Sequence, residues 1–104
     1  MNTIFIDTSS NEETVVGLEI GRKKHFLKEK AGKKKAQAVL PMIDRLLLEH
    51  GLHLKDITGI EINQGPGSYT GIRVGISIAN TLSCLLGIPI NKMPVGTFVE
   101  PVYS

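Results

Sequence analysis

Apolar and polar positions fall into two regimes along the chain. Before Gly32 they come in short β-rich stretches at residues 3–6, ending at Asp7, at 14–20 and at 25–30, with Asn11 and Gly21-Arg22 supplying turn chemistry between them. Three consecutive antiparallel strands are predicted. Beyond Gly32 the period lengthens: Ala36, Val39, Leu40, Ile43 and Leu47 recur at helical spacing and Gly51 follows as a stop, which predicts a first helix. Pro41 inside that pattern implies either a helix that starts near Leu40 or a kink, because an interior proline loses a backbone hydrogen bond and clashes with the preceding turn. Residues 57–62 read as a fourth strand leading into Gly65-Pro66-Gly67, a second helix starts near Ser68 or Thr70 and ends at Gly87, and residues 88–90 read as a fifth strand.

The predicted fold class is therefore α/β, a mixed five-stranded sheet in β-β-β-α-β-α-β order with helices packed on it, as in ribonuclease-H-like and actin-like halves. The second helix carries more apolar surface than one sheet requires. Ile72, Ile76, Ala79, Leu82 and Leu86 line one face, and Val74, Ile78, Thr81 and Leu85 line another, so two covered faces are expected. Gly71, Gly75, Ala79 and Ser83 form a ridge of small residues that lets another backbone approach closely, either the chain's own first helix or a helix of a partner.

Composition narrows the class. At 104 residues, 41% hydrophobic and 21% charged, the chain suits one globular domain over residues 1–104. No apolar run approaches the roughly 20 residues that cross a bilayer, and the expectation is a soluble, cytoplasmic protein with no membrane contact. The single cysteine, Cys84, reads as a buried thiol in a reducing compartment. Eight of the twelve Lys and Arg residues lie between Arg22 and Lys35. That cluster suits either a solvated face or contact with an RNA backbone such as that of tRNA.

Candidate chemistry is sparse. Gln64 to Gly71 joins a strand to a helix, where glycines and free amides could meet an anion, yet neither P-loop nor dinucleotide spacing is present. Asp7, Thr8 and Ser9 follow the first strand, where a carboxylate and hydroxyls meet a metal or phosphate, or simply form Asx and hydroxyl turns. Asp7, Thr8, Ser9, Gly65, Gly67, Ser68 and Thr70 are thus candidates for a phosphate-binding or a structural loop. His25, His50 and His53 show no metal-ligand spacing, no serine or cysteine shows a nucleophile elbow, and neither a metal nor a cofactor is expected.

Ile4-Phe5-Ile6-Asp7-Thr8-Ser9, Leu40-Pro41-Met42-Ile43-Asp44 and above all Gly65-Pro66-Gly67-Ser68-Tyr69-Thr70-Gly71-Ile72-Arg73-Val74-Gly75 resemble the TsaB family, also called YeaZ. Leu54-Lys55-Asp56-Ile57 and Leu86-Gly87-Ile88-Pro89-Ile90 stand in the order that family shows, so the resemblance covers nearly the whole chain. It implies an actin-like, ribonuclease-H-type fold and a non-catalytic scaffold role in making threonylcarbamoyladenosine on tRNA. The implied partner is the TsaD catalytic subunit, with TsaE in the larger complex and a homodimer through the same helical surface when alone. Pattern and resemblance together nominate Leu40, Ile43 and Leu47 on the first helix and Gly75, Ala79, Leu82 and Ser83 on the second as partner contacts. A peptidase acting on TsaD is the competing activity attached to relatives. The family's second actin-like domain is expected to be absent, and with it one wall of the nucleotide cleft, so no tight ATP binding is expected unless another chain supplies that wall.

Overall fold

The computed structural model describes residues 1–102. Strands β1 (Asn2–Asp7), β2 (Thr14–Ile20) and β3 (Lys23–Glu29) form an antiparallel meander, followed by helix α1 (Lys35–Glu49), strand β4 (Gly59–Ile62) and helix α2 (Tyr69–Leu86). The sheet order is β3-β2-β1-β4, with β4 parallel to β1. Alternation decides which face is buried. Ile4 stands opposite Leu18 and Ile60, and Ile6 opposite Val16 and Ile62, so these six side chains share one side of the sheet and are buried there. Val39, Met42, Ile43 and Leu46 of α1 and Ile72, Ile76 and Ala79 of α2 join the same core cluster. At the opposite side, Phe5, Gly17 and Phe26 lie in register across three strands, and a Cβ on Gly17 would stand 2.6 Å from the Phe26 ring.

The fifth strand does not form. Residues 88–90 contribute one isolated bridge, Ile90 against Ile60, closed by Ile60 N–H to Pro89 O (3.0 Å) and Asn91 N–H to Ile60 O (2.8 Å). The chain then turns away, because Asn91 and Lys92 adopt left-handed φ angles of 50° and 60°. The Asn91 side chain supplies the bonds a strand backbone would have made, its Oδ1 accepting from Ile62 N–H (2.8 Å) and its Nδ2 donating to Ile62 O (3.2 Å). The observed sheet is four-stranded, with a carboxamide completing its β4 edge.

Helix α1 runs from Lys35 without a break at Pro41. Pro41 and Gln37, whose carbonyl loses its partner, are both exposed, so water replaces the missing bond. Helix α2 begins where expected, with Ser68 Oγ accepting from Gly71 N–H (3.3 Å), and stops at Gly87 with φ 64°. Its ridge of small residues faces inward. Gly71 and Gly75 are approached most closely by Thr8 at the end of β1, and Gly71 also by the side chain of Lys35 at the start of α1: the Thr8 hydroxyl donates to Gly71 O at 2.5 Å, and a Cβ on Gly75 would collide with that hydroxyl and stand 2.9 Å from Ile62 Cδ1. Cys84, on the other side of α2, is exposed and not buried.

Gly75→Ala tests this close approach. In an open helix the change would stabilise by about 1 kcal/mol; here overpacking against Thr8 and Ile62 is expected to destabilise by about 1–3 kcal/mol, measured by urea unfolding.

Candidate functional site

Both candidate loops meet at the junction of β1, β4 and α2. Asp7 Oδ1 accepts from the amide (2.9 Å) and hydroxyl (2.5 Å) of Ser9, and Oδ2 accepts from Asn63 Nδ2 (3.2 Å). Asn63 Nδ2 also reaches Ser9 Oγ (3.2 Å), and its Oδ1 accepts from Gly65 N–H (2.9 Å). Ser68 N–H donates to Ser9 O at 2.8 Å, which ties the start of α2 to the loop after β1. Gly67 fits because a Cβ there would stand 2.7 Å from the Cβ and carbonyl oxygen of Ser9, and Gly65 adopts φ 110° before a cis peptide bond to Pro66.

Electrostatically this is an anchored carboxylate. Burial opposes ionisation of Asp7, but the hydrogen bonds donated by Ser9 and Asn63 outweigh it and hold the carboxyl below the usual aspartate value. Asp7 thus already accepts three hydrogen bonds, and Asp7, Ser9, Gly65 and Gly67 tie the two loops together. Thr8 is fully buried at this junction. Ser68 caps α2, and Thr70 faces outward in its first turn. Asn63 and Asn91, which bind the loops and the sheet edge together, were not among the candidates; their signal was a polar amide directly after an apolar strand.

The nominated partner contacts divide sharply. Leu40 is 50% exposed, whereas Ile43, Leu47, Gly75, Ala79, Leu82 and Ser83 are buried in the chain's own core, and the Ser83 hydroxyl donates to Ile88 O (2.6 Å). Those six are spent on the sheet and on the residues beyond α2. What is left outside is the second apolar face: Val74 and Ile78 half-buried and Leu85 76% exposed. Two recesses run along it and share Ser77. One, of about 400 Å³, is walled by Ala36, Tyr69, Val74 and Ile78; the other, of about 390 Å³, by Thr81, Cys84, Leu85 and Phe98.

His25 on β3 and His50 at the end of α1, far apart in sequence, stack with ring centroids 4.1 Å apart, and a His50 ring nitrogen lies 2.8 Å from Leu46 O. His53 stands apart, capping the short turn Leu54–Asp56. Among the described residues no three His, Cys, Asp or Glu side chains gather as metal ligands, and no helix is long and apolar enough to cross a membrane. The basic segment lies along β3 and the approach to α1, with Lys23, Lys24, Lys28, Lys33 and Lys34 exposed and Lys35 buried.

The comparisons with known proteins fall on two related descriptions, a threonylcarbamoyltransferase and TsaB (YeaZ). Residues 24–95 match the family model described as TsaD, tRNA N6-adenosine threonylcarbamoyltransferase. The chain is 36% identical over 90 residues to the tRNA threonylcarbamoyladenosine biosynthesis protein TsaB of Haemophilus influenzae, a match covering 86% of this chain and 38% of that protein. It is 34% identical over 100 residues to TsaB of Escherichia coli, covering 95% and 42% respectively. YeaZ from Pseudomonas aeruginosa superimposes with a TM-score of 0.82 at 30% identity, over 89% of this chain and 43% of that one. The chain thus spans about two-fifths of the length of the curated relatives it matches.

The Asp7 anchor has a pH signature. Its folded value lies below its unfolded one, so its stabilisation is present above the ordinary aspartate value of about 4 and is lost as pH falls through the folded value. Asp7→Ala is expected to cost about 1–3 kcal/mol at neutral pH. In urea titrations the gap between wild type and variant should shrink on acidification below about pH 4.

Proposed function

Because the chain belongs to the TsaB (YeaZ) family, we propose that it is a non-catalytic binding subunit in the formation of threonylcarbamoyladenosine on tRNA. It presents the outer faces of α1 and α2 to the catalytic threonylcarbamoyltransferase subunit, TsaD, within an assembly that also takes TsaE. In this reading residues 1–104 are one actin-like, ribonuclease-H-type half. The supporting observation is the apolar face of α2 that the sheet leaves uncovered, Val74, Ile78 and Leu85, beside half-exposed Leu40 on α1. Burying such a strip against a partner helix removes apolar area from water, at about 25 cal/mol per Å².

In the absence of the catalytic subunit, a second copy satisfies the same strip across a two-fold axis, since an isologous contact buries one patch on both partners. Recognition so divided needs no reacting group here; the chemistry resides in the catalytic subunit. The exposed lysines of residues 22–35 give the complex a second surface, suited to the phosphate backbone of the tRNA substrate.

Light scattering of the isolated protein, repeated with the catalytic subunit, tests the reading. The expected result is a dimer that converts to a one-to-one complex. Leu85→Asp, at a side chain already in water, should leave the fold intact and weaken both associations by about tenfold or more. A monomer indifferent to the catalytic subunit, or new cleavage fragments of that subunit in mass spectrometry, would overturn the scaffold role, the latter in favour of a peptidase.

A further inference from the structure

On the side of the sheet opposite the two helices, an aromatic ring stands among lysines. Phe26 of β3 is 52% exposed, and Lys24 and Lys28, two positions to either side and therefore on the same face, are exposed with it. Gly17 of β2 and Phe5 of β1 continue the row in register across the sheet. The Phe26 ring lies against Gly17, the glycine being what lets it lie there, since a Cβ would stand 2.6 Å from the ring. Its centroid is 6.3 Å from that of Phe5, and Lys24 Nζ stands 5.4 Å from the Phe5 centroid, so an ammonium is held beside the aromatic pair.

Charge decides what such a surface can meet. β3 is an edge strand, and exposed Arg22, Lys23 and Lys30 extend the row of Lys24 and Lys28 along it, with Glu29 the only acid from Arg22 to Lys30. The carboxylates on the same side of the sheet are engaged or stand beside a lysine: Asp7 accepts from Ser9 and Asn63, Glu61 pairs with Lys92 at 3.9 Å, and Glu19 lies opposite Lys24. An exposed ring flanked by ammonium groups suits a nucleobase with a phosphate on either side, because every base has a π face and each nucleotide brings one anion. A duplex keeps its base faces inside the stack, so only an unpaired nucleotide can use the ring.

We propose that Phe26, with Phe5 beside it, is a stacking platform for an unpaired nucleotide of RNA, and that Lys24 and Lys28 hold the phosphates on either side of that nucleotide. The ligand class is single-stranded RNA, recognised by stacking and charge without selection of one base. The inference rests on the tRNA contact proposed above for the basic segment, and gives that contact a place and a ligand class. It does not rest on the docking face of α2, a helix that packs on the other side of the sheet.

The test is fluorescence anisotropy of the purified chain with labelled hexauridylate as the single strand and a blunt RNA duplex as the control, over a range of salt concentrations. Hexauridylate should bind with a Kd of about 100 μM or tighter, and the duplex more weakly. Phe26→Leu, which keeps apolar bulk and removes the π face, should weaken hexauridylate binding about tenfold. Lys24→Gln combined with Lys28→Gln, at side chains already in water, should weaken binding and flatten its salt dependence. The chain has no tryptophan, so Phe26→Trp puts a lone reporter on the platform, and its emission should be quenched as hexauridylate saturates. The lysine pair and Phe26→Trp carry the test whatever Phe26→Leu does to stability. Leu85→Asp should leave RNA binding unchanged, which separates failure here from failure of the docking face. No binding of hexauridylate, equal affinity for duplex and single strand, or no quenching in Phe26→Trp overturns the proposal. Association with the catalytic subunit that falls in Phe26→Leu while RNA binding does not would overturn it in favour of a protein partner.

Discussion

The fold hangs on the contact between Thr8, at the end of β1, and the two glycines in the first turns of α2. A hydroxyl buried at that point must donate, and Gly71 O is the acceptor it finds. The helix can come that close only because Gly71 and Gly75 carry no side chains on the approaching face. Once α2 is held there, Ser68 N–H meets Ser9 O, the two loops interlock, and Ile72 and Ile76 drop onto the helix-covered side of the sheet. The stem of Lys35 then occupies the gap left over Gly71, so a single seam positions the sheet and both helix starts.

Much of this architecture was legible beforehand. Strand β2 and the ends of α2 follow from local signals that tertiary packing had no reason to override: an apolar stretch bounded by turn residues, a serine cap and a left-handed glycine stop. Which face of α2 turns inward was not legible, because both its stripes are apolar and only the position of Thr8 decides between them. The small ridge was read correctly as a place of close approach, but the nearest group is a strand end, with the first helix contributing only the Lys35 side chain over Gly71. The fifth strand failed for a reason invisible to propensity: Asn91 leaves the β region and its carboxamide takes over the pairing. Pro41 misled in the opposite direction, since its cost depends on whether the orphaned carbonyl faces water.

The candidate site was legible as a location and not as a chemistry. Asp7 to Ser9 and Gly65 to Thr70 do converge, yet the carboxylate is occupied by Ser9 and Asn63, and the lysine whose side chain is packed away, Lys35, is hidden in a run of lysines that looks like an ordinary solvated segment. Burial within such a run cannot be seen without the helix crossing that produces it. The two apolar stripes of α2 likewise resolve into separate tasks, one holding the domain together and one turned toward water.

The two borders of the sheet share a further property. Strand β3 is an edge strand studded with exposed Lys23, Lys24 and Lys28, and at the β4 side the bridge at Ile90 ends in a side-chain amide that consumes the next backbone pair. An exposed row of unpaired strand amides is a template on which another chain can polymerise. Here one border is guarded by charge and the other by a molecular stopper. The sheet is thereby protected against runaway growth into fibres, and the lysine-rich segment has a use in keeping the monomer from aggregating even before any nucleic acid is considered.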